Sequence, residues 1–272
     1  MIDANLRIRS FVAALVLLAM TSTGALAQDS ADGFLSDLHN FRVSNYMALD
    51  AYYRFSGTGD TDTLNEIVQG INSANDSMNS IADSDSGVLS GEELEGLNQE
   101  FDKFKNLMRD NINDVRNQGY PDLRLVSDMA NQALTMNEKA TELYRLAQES
   151  SQTDTNPRVE AARSAAVKMA QMMAKYSVRT NSSVAQTFQG SSTETPLDEQ
   201  ARELDQLLAS VKQGEGTAEL KAAIDDISSK WQFIRGSYIN YNENNVGFVI
   251  DRYSKGILKG LATTIELLQG NA

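Results

Sequence analysis

The fold is decided by the stretch Ala161–Thr180, AARSAAVKMAQMMAKYSVRT. It has no glycine or proline and is rich in alanine and methionine, which favour a helix. Lys168, Lys175 and Arg179 lie on one side, while the apolar residues recur at intervals of three and four and share the other face. That apolar face consists of Ala161, Ala162, Ala165, Ala166, Met169, Met173 and Tyr176. The stretch therefore predicts a long helix with one face buried in a core.

The same spacing continues on both sides of this stretch, and alternating runs of β-branched residues are almost absent. Pro121, Pro157 and Pro196 each stand where a helix would begin, a position that tolerates the missing N–H. Ser90 and Glu93 have the spacing of a capping box, and Thr195 is expected to cap the sixth helix. The sequence predicts an all-α protein of about eight long helices, which run approximately over residues 32–55, 62–81, 90–119, 121–152, 156–188, 195–214, 217–241 and 246–268.

Short connections between these helices predict an antiparallel up-down helical bundle. Its two halves, residues 28–152 and 153–272, match helix by helix as two repeated four-helix units. The pair Lys103 and Phe104 corresponds to Lys230 and Trp231 at a spacing of 127 residues. The alternative is that the halves share only helical periodicity. Trp231 itself is expected to be either a core anchor or a residue that stacks on a ligand.

The first 27 residues have the pattern of a cleaved secretory signal peptide. Arg7 and Arg9 precede a ten-residue apolar run, Phe11–Met20, and Ala25–Ala27 supplies small residues for cleavage. That run is too short to span a bilayer, which takes about 20 residues. The pattern predicts a periplasmic protein whose mature form is not membrane-spanning. The alternative is an uncleaved membrane anchor.

Charge and cysteine usage exclude several classes of protein. The net charge is −13 and there is no cysteine. An acidic surface repels nucleic acid, so no nucleic-acid partner is expected. Without cysteine there is no disulfide, no thiolate metal site and no cysteine for haem attachment.

His39 is the only histidine. A single histidine cannot supply the two Glu-x-x-His motifs of a di-iron bundle, and it makes a catalytic triad improbable. The sequence also contains no Gly-x-Ser-x-Gly elbow and no phosphate-binding loop. We therefore expect no enzyme activity and no cofactor, with His39 at the surface or partly packed. The alternative is that His39 and a methionine are axial ligands of a haem.

The loop Ala82–Glu93 has some features of an EF-hand. Asp83, Asp85 and Glu93 are the candidate calcium ligands, and a glycine occupies the sixth loop position. However, Ala82 stands where the first aspartate belongs, so the acidic residues are one position out of register. The alternative is a plain acidic turn that ends in a capping box, and no metal site is assigned.

Part of the opening stretch resembles the signature helix of periplasmic sensor bundles of the PilJ and nitrate/nitrite-sensor (NarX-like) type. That signature has the general form A-G-R-Q-R-M-L-S-Q-R-M-A-K-Y-Y, and Gln171, Met173, Ala174, Lys175 and Tyr176 match it. The resemblance implies an all-helical extracytoplasmic sensor domain. Its arginine positions are Ala165, Val167 and Met172 here, so nitrate-type binding is not implied. Arg163 lies two residues before the first of these positions.

A pocket between the first and fifth helices is the candidate ligand site. Its candidate residues are Tyr46, Tyr53, Arg163, Gln171, Lys175 and Tyr176, with Tyr52 as further lining. The sequence thus predicts a non-enzymatic periplasmic binding or sensory module that takes a small-molecule ligand and acts through an inner-membrane signalling or envelope protein. The alternative is a structural or chaperone-like periplasmic helical protein that binds polypeptides.

Overall fold

The computed structural model describes residues 32–84, 87–150, 155–181, 195–243 and 245–270. The predicted signal peptide, the end of the fifth helix as far as Phe188, and Asp85 lie outside these ranges. Within them the protein is all-helical and has no strand. The described helices are α1 (32–58), α2 (Thr61–Asp83), α3 (Gly91–Gln118), α4 (Leu123–Ser150), α5 (Pro157–Asn181), α6 (Leu197–Lys212), α7 (Ala218–Ile239) and α8 (Gly247–Gln269).

The helix ends confirm some of the predicted signals. The capping box is present, because Ser90 Oγ accepts from the Glu93 amide and the Glu93 carboxylate accepts from the Ser90 amide at 2.7 Å. Thr217 caps α7 by accepting from the Leu220 amide at 3.1 Å. Pro157 is the first residue of α5.

Two predicted helix starts were wrong. Pro121 precedes α4 by two residues, and Asp122 is the residue that accepts from the amides of Arg124 and Leu125, at 2.8 and 3.2 Å. At α6 the cap position is taken by Pro196, which makes no side-chain hydrogen bond. Thr195 therefore does not cap this helix. At α4 the carboxylate of Asp122 is a better hydrogen-bond acceptor for the first amides of the helix than the neighbouring proline. At α6 no side chain of a described residue accepts from the amides of the first turn.

Buried apolar side chains of the described residues form two clusters. The first cluster contains residues of α1 to α4 together with Ala174 and Val178 of α5. The second draws on α5 to α8, and Val43 and Met47 of α1 pack against it. Helices α1 and α5 therefore lie where the two clusters meet. The predicted apolar face of α5 is confirmed, since each of its seven residues is buried in the second cluster.

Polar contacts also join α1 to α5. Arg163 donates to Ser36 Oγ at 2.6 Å, and Ser177 Oγ donates to Asp50 Oδ1 at 2.6 Å. In both pairs the partners are 127 residues apart. Asp50 is fully buried, and burial raises the pKa of its carboxyl group against the opposing effects of Arg54 and Ser177. These contacts fix the side-by-side position of the two helices.

Helices α1 and α2 approach closely at Gly70. A Cβ atom there would lie 3.0 Å from both the Cβ and the backbone nitrogen of Ala48. We expect Gly70→Ala to lower the free energy of unfolding by about 1–2 kcal/mol, since the clash outweighs the helix preference of alanine. Gly236→Ala is the control, because a Cβ at this helical position meets nothing within 4 Å. It should raise stability by up to about 1 kcal/mol. Urea unfolding measures both, and equal effects would contradict the close approach.

No helix in the described ranges is both long and apolar enough to cross a membrane.

Candidate functional site

An open cleft of about 500 Å³ lies where α1, α4, α5 and α6 meet. We call it the interhelical cleft. It draws Arg42 and Tyr46 from α1, residues from Leu134 to Glu142 from α4, and residues from Ser164 to Gln171 from α5. Thr195, Gln200 and Leu207 close the α6 side. The volume lies in the range of small-molecule sites, which is about 300–1,000 Å³.

Arg42 is the cation on the α1 side of the cleft. Its guanidinium lies over the Tyr144 ring, 5.2 Å from the centroid. It forms no hydrogen bond or ion pair with any described residue, and its Nε is buried without an acceptor. Burial lowers the pKa of Arg42, while Tyr144, Tyr46 and Glu160 act in the opposite direction. A half-buried guanidinium of this kind is a donor available to an anionic group.

Two buried amides stand in the opposite walls of the cleft. Asn137 on α4 is 3% exposed and donates to the Ala133 carbonyl at 2.9 Å. Gln200 on α6 is 2% exposed and donates to the Thr195 carbonyl at 2.8 Å. These bonds orient the amide nitrogens, and the oxygens Asn137 Oδ1 and Gln200 Oε1 accept no hydrogen bond. The residues that line the cleft therefore include two buried acceptors and one buried donor without a hydrogen-bond partner.

The other charges at the cleft mouth are mostly paired. Lys168 Nζ lies 2.7 Å from Glu203, and Arg145 lies 2.6 Å from Glu142. Hydrogen bonds from Arg145 lower the pKa of Glu142. Glu138 is exposed and has no ion pair with a described residue. The α4 side of the mouth is thus acidic.

A smaller cavity of about 30 Å³ adjoins the cleft and shares Tyr46, Leu134 and Gln171 with it. Tyr53 and Lys175 also line it, so four of the six predicted site residues meet here. Lys175 Nζ donates to the Thr195 carbonyl at 2.7 Å. This volume holds about one or two waters, so the smaller cavity has no room for a larger ligand, whereas the adjoining cleft does.

Arg163 does not line the cleft. It is 1% exposed, and its guanidinium lies 3.0 Å from Asp32 and 2.9 Å from Glu160. It also donates to Ser36 Oγ and to the hydroxyl of Tyr144 at 3.3 Å. Protein groups therefore already occupy most of the donors of this side chain.

His39 lies close to Arg163 and Arg42, and the expectation that it is at the surface or partly packed was wrong. It is 6% exposed, with Nδ1 buried and unpartnered. Burial, followed by the charges of Arg163 and Arg42, lowers the pKa of His39 to about 3. The imidazole is therefore neutral at physiological pH.

Tyr176 lies away from the cleft in the second apolar cluster. Its hydroxyl accepts from the Val246 amide at 3.3 Å, and its ring meets Tyr238 edge-on at 5.4 Å. Two of the three positions where the resembled signature has arginine, Ala165 and Met172, are fully buried in the same cluster. Charged side chains could not be accommodated there without repacking.

Two further aromatic residues have structural roles. Tyr52 is fully buried and donates to Asn111 Oδ1 at 3.2 Å, so it does not line the cleft. Trp231 is a core anchor, 4% exposed, whose Nε1 donates to Asp205 Oδ1 at 2.8 Å.

Two of the three candidate calcium ligands are described. Asp83 ends α2, and the Glu93 carboxylate is engaged by the amide and hydroxyl of Ser90, each at 2.7 Å. Asp85 lies outside the described residues. Within the described ranges no three His, Cys, Asp or Glu side chains form a group that could hold a metal.

Sequence reasoning missed Arg42, Asn137 and Gln200. A weak signal existed for Arg42, which stands one helical turn before Tyr46 on the same face. Asn137 and Gln200 carry no such signal, because the two residues come together only through the packing of α4 and α6 around α5.

No protein-family profile, curated protein sequence or solved structure matches this chain.

Proposed function

We propose that this protein is a non-enzymatic periplasmic binding or sensory module that takes a small-molecule ligand in the interhelical cleft. The observation that carries the proposal is the Arg42 guanidinium, half-buried at the cleft without a hydrogen-bonding or ion-pairing partner among the described residues. Burying an unpaired charge is unfavourable, and a bound anionic group would offset that cost. The predicted signal peptide supports the periplasmic location.

We further propose that the helices form two antiparallel up-down four-helix units, residues 28–152 and 153–272. Support comes from contacts whose sequence positions run in opposite directions along neighbouring helices. In α3 and α4, Asn111 bonds the Leu125 carbonyl, while Gln132 bonds Glu100. In α5 and α6, Arg158 bonds the Val211 carbonyl while Lys168 meets Glu203.

The α1–α5 contacts support the repeat. The constant separation of 127 residues in Ser36–Arg163 and Asp50–Ser177 requires the two helices to run parallel and in register. It equals the spacing at which Phe104 corresponds to Trp231, both of them buried core residues. Equivalent positions of two repeats would meet in this way if a pseudo-twofold axis ran between α1 and α5.

The cleft lies between the proposed units, with α1 and α4 on one side and α5 and α6 on the other. A ligand that bridges them would favour one relative arrangement of the units, which is how binding could be passed to a partner. We propose an inner-membrane signalling or envelope protein as that partner. The resemblance of Gln171–Tyr176 to the sensor-bundle signature supports the sensory role.

A thermal-shift screen of anions, amino acids and amines tests the proposal. A ligand that binds only the folded state should raise the melting temperature by several degrees at saturating concentration. Arg42→Gln should abolish that shift while leaving the helical circular dichroism unchanged. Arg109→Gln is the control, because among the described residues this exposed arginine on α3 pairs only with its neighbour Asp110. If no compound shifts the wild type, the binding proposal fails.

The second candidate function is the binding of a polypeptide partner. Phe233 and Phe248 are 62% and 78% exposed, and Phe233 stacks on Tyr253 at 4.6 Å. Exposed aromatic clusters are common at protein interfaces. A structural or chaperone-like protein of this kind would give no shift in the small-molecule screen.

A further inference from the structure

We propose that the interhelical cleft binds a small zwitterion with a protonated amine and a carboxylate, the class to which free amino acids belong. This inference rests on the proposed binding function and names the ligand chemistry of the same site. The inference is based on which polar atoms of the cleft residues already form hydrogen bonds within the protein and which do not.

The carboxylate is inferred from a contrast among the arginines at this junction. Arg54 pairs with Asp50 at 3.0 Å and also with Glu66. Arg163 pairs with Asp32 and Glu160. Arg42 has no carboxylate within ion-pairing distance in the described residues, although it is half-buried and its Nε is fully buried. A planar guanidinium suits a carboxylate, which accepts two parallel N–H bonds.

The amine is inferred from the acceptors. Asn137 and Gln200 are both more than nine-tenths buried, and each has an amide oxygen without a donor. Their nitrogens are already held by the Ala133 and Thr195 carbonyls, so the amides cannot flip without losing those bonds. A buried acceptor without a partner is energetically unfavourable. A protonated amine supplies three donors, which are the type of partner that these oxygens lack.

The surrounding charge favours a zwitterion over a simple anion. Glu138, which has no ion pair with a described residue, stands at the mouth on α4, and the whole chain has a net charge of −13. That field opposes the approach of an anion. A ligand with no net charge avoids the repulsion and can direct its amine towards the acidic α4 side.

The first experiment compares matched compounds on the wild-type protein. The twenty standard L-amino acids are screened by thermal shift, and the best binder is measured by calorimetry beside its N-acetyl and its carboxamide derivatives. The first derivative lacks the ammonium and the second lacks the carboxylate. We expect the parent amino acid to bind at least about tenfold more tightly than either derivative. A difference of this size corresponds to the one charge-assisted hydrogen bond that each derivative loses.

The second experiment assigns each half of the ligand to its residues. Asn137→Leu should bring the affinities of the parent and the N-acetyl derivative to within about threefold, because the amine then loses an acceptor. Arg42→Gln should do the same for the parent and the carboxamide derivative. Arg109→Gln is the control and should preserve both ratios. Circular dichroism verifies that each variant is folded.

Two results would contradict the zwitterion inference and would leave the proposed binding function standing. One is equal binding of the parent and its N-acetyl derivative in the wild type, which would identify a carboxylate ligand. The other is a simple anion or amine that binds in an Arg42-dependent manner while no amino acid binds. If no anion, amino acid or amine shifted the melting temperature, both proposals would be overturned. Amino-acid binding that Arg42→Gln leaves unchanged would place the ligand outside the cleft and also overturn both.

Discussion

Replacing Arg163 by methionine is expected to lower the free energy of unfolding by about 3 kcal/mol. The guanidinium is 1% exposed and connects α1, α4 and α5. Its partners are Asp32 and Ser36 on α1, Tyr144 on α4 and Glu160 on α5. Methionine fills much of the space but donates no hydrogen bond. The variant leaves these partners without their shared donor.

Arg145 provides a matched control. It also bridges two carboxylates, Glu142 at 2.6 Å and Glu149 at 2.5 Å, but its side chain is 49% exposed. Exposed ion pairs contribute little to stability because water solvates both partners. Arg145→Met should therefore change the unfolding midpoint in urea only slightly. If Arg163→Met and Arg145→Met had similar effects, burial would not be what makes the Arg163 network stabilising.

Arg163→Lys sharpens the test. Lysine keeps the charge, but its ammonium group cannot reproduce the hydrogen bonds that the planar guanidinium donates to two carboxylates, a serine and a tyrosine. It should recover less than half of the loss seen with methionine. Full recovery would mean that the charge alone matters and that the directed hydrogen bonds of the guanidinium do not.

The role of Arg163 illustrates what the sequence could and could not predict. Helical periodicity placed the apolar face of α5 correctly, because that pattern depends only on neighbours three and four residues away. The partners of Arg163 on α1 are 127 and 131 residues distant in the chain. No local pattern encodes such a contact. A buried arginine and a ligand-binding arginine therefore look alike in sequence.

The residues of the interhelical cleft also divide into those that the sequence could predict and those that it could not. Tyr46 and Gln171 were predicted because both belong to the pair of helices that the sequence placed together. Asn137 and Gln200 come from α4 and α6, and their significance is that their oxygens lack donors once the helices have packed. Satisfaction of a buried polar atom is a property of the assembled structure. It could not be predicted from residue types and spacing.

Acidification from pH 8 to pH 5 is expected to remove about 2 kcal/mol of stability through His39 alone. The pKa of His39 falls from its ordinary value of 6.5 to about 3 in the folded protein, chiefly through burial and then through Arg163 and Arg42. Below pH 6.5 the unfolded chain gains a proton that the folded protein does not accept. Stability is therefore lost as the pH falls from about 6.5 towards 3.

The pH window separates this effect from those of the carboxyl groups. Burial opposes the shift at Glu66 and Asp205, but hydrogen bonds and nearby cations lower the pKa of both, and hydrogen bonds lower the pKa of Glu100. Their contributions are therefore lost only below the ordinary values of 4.5 for glutamate and 3.8 for aspartate. The raised pKa of the buried Asp50 acts in the opposite direction, since its protonation favours the folded state. Neither effect reproduces a loss that begins near pH 6.5.

Urea unfolding at intervals between pH 8 and pH 5 measures the effect, with His39→Gln as the comparison. The glutamine variant cannot be protonated, so its stability should stay nearly constant over this range. A wild-type curve equally flat would show that His39 accepts a proton in the folded state. Arg163→Met provides the final check, because removing one of the two repelling cations should raise the pKa of His39. The loss of stability in that background should therefore level off at a higher pH than in the wild type, which unfolding measurements extended below pH 5 detect.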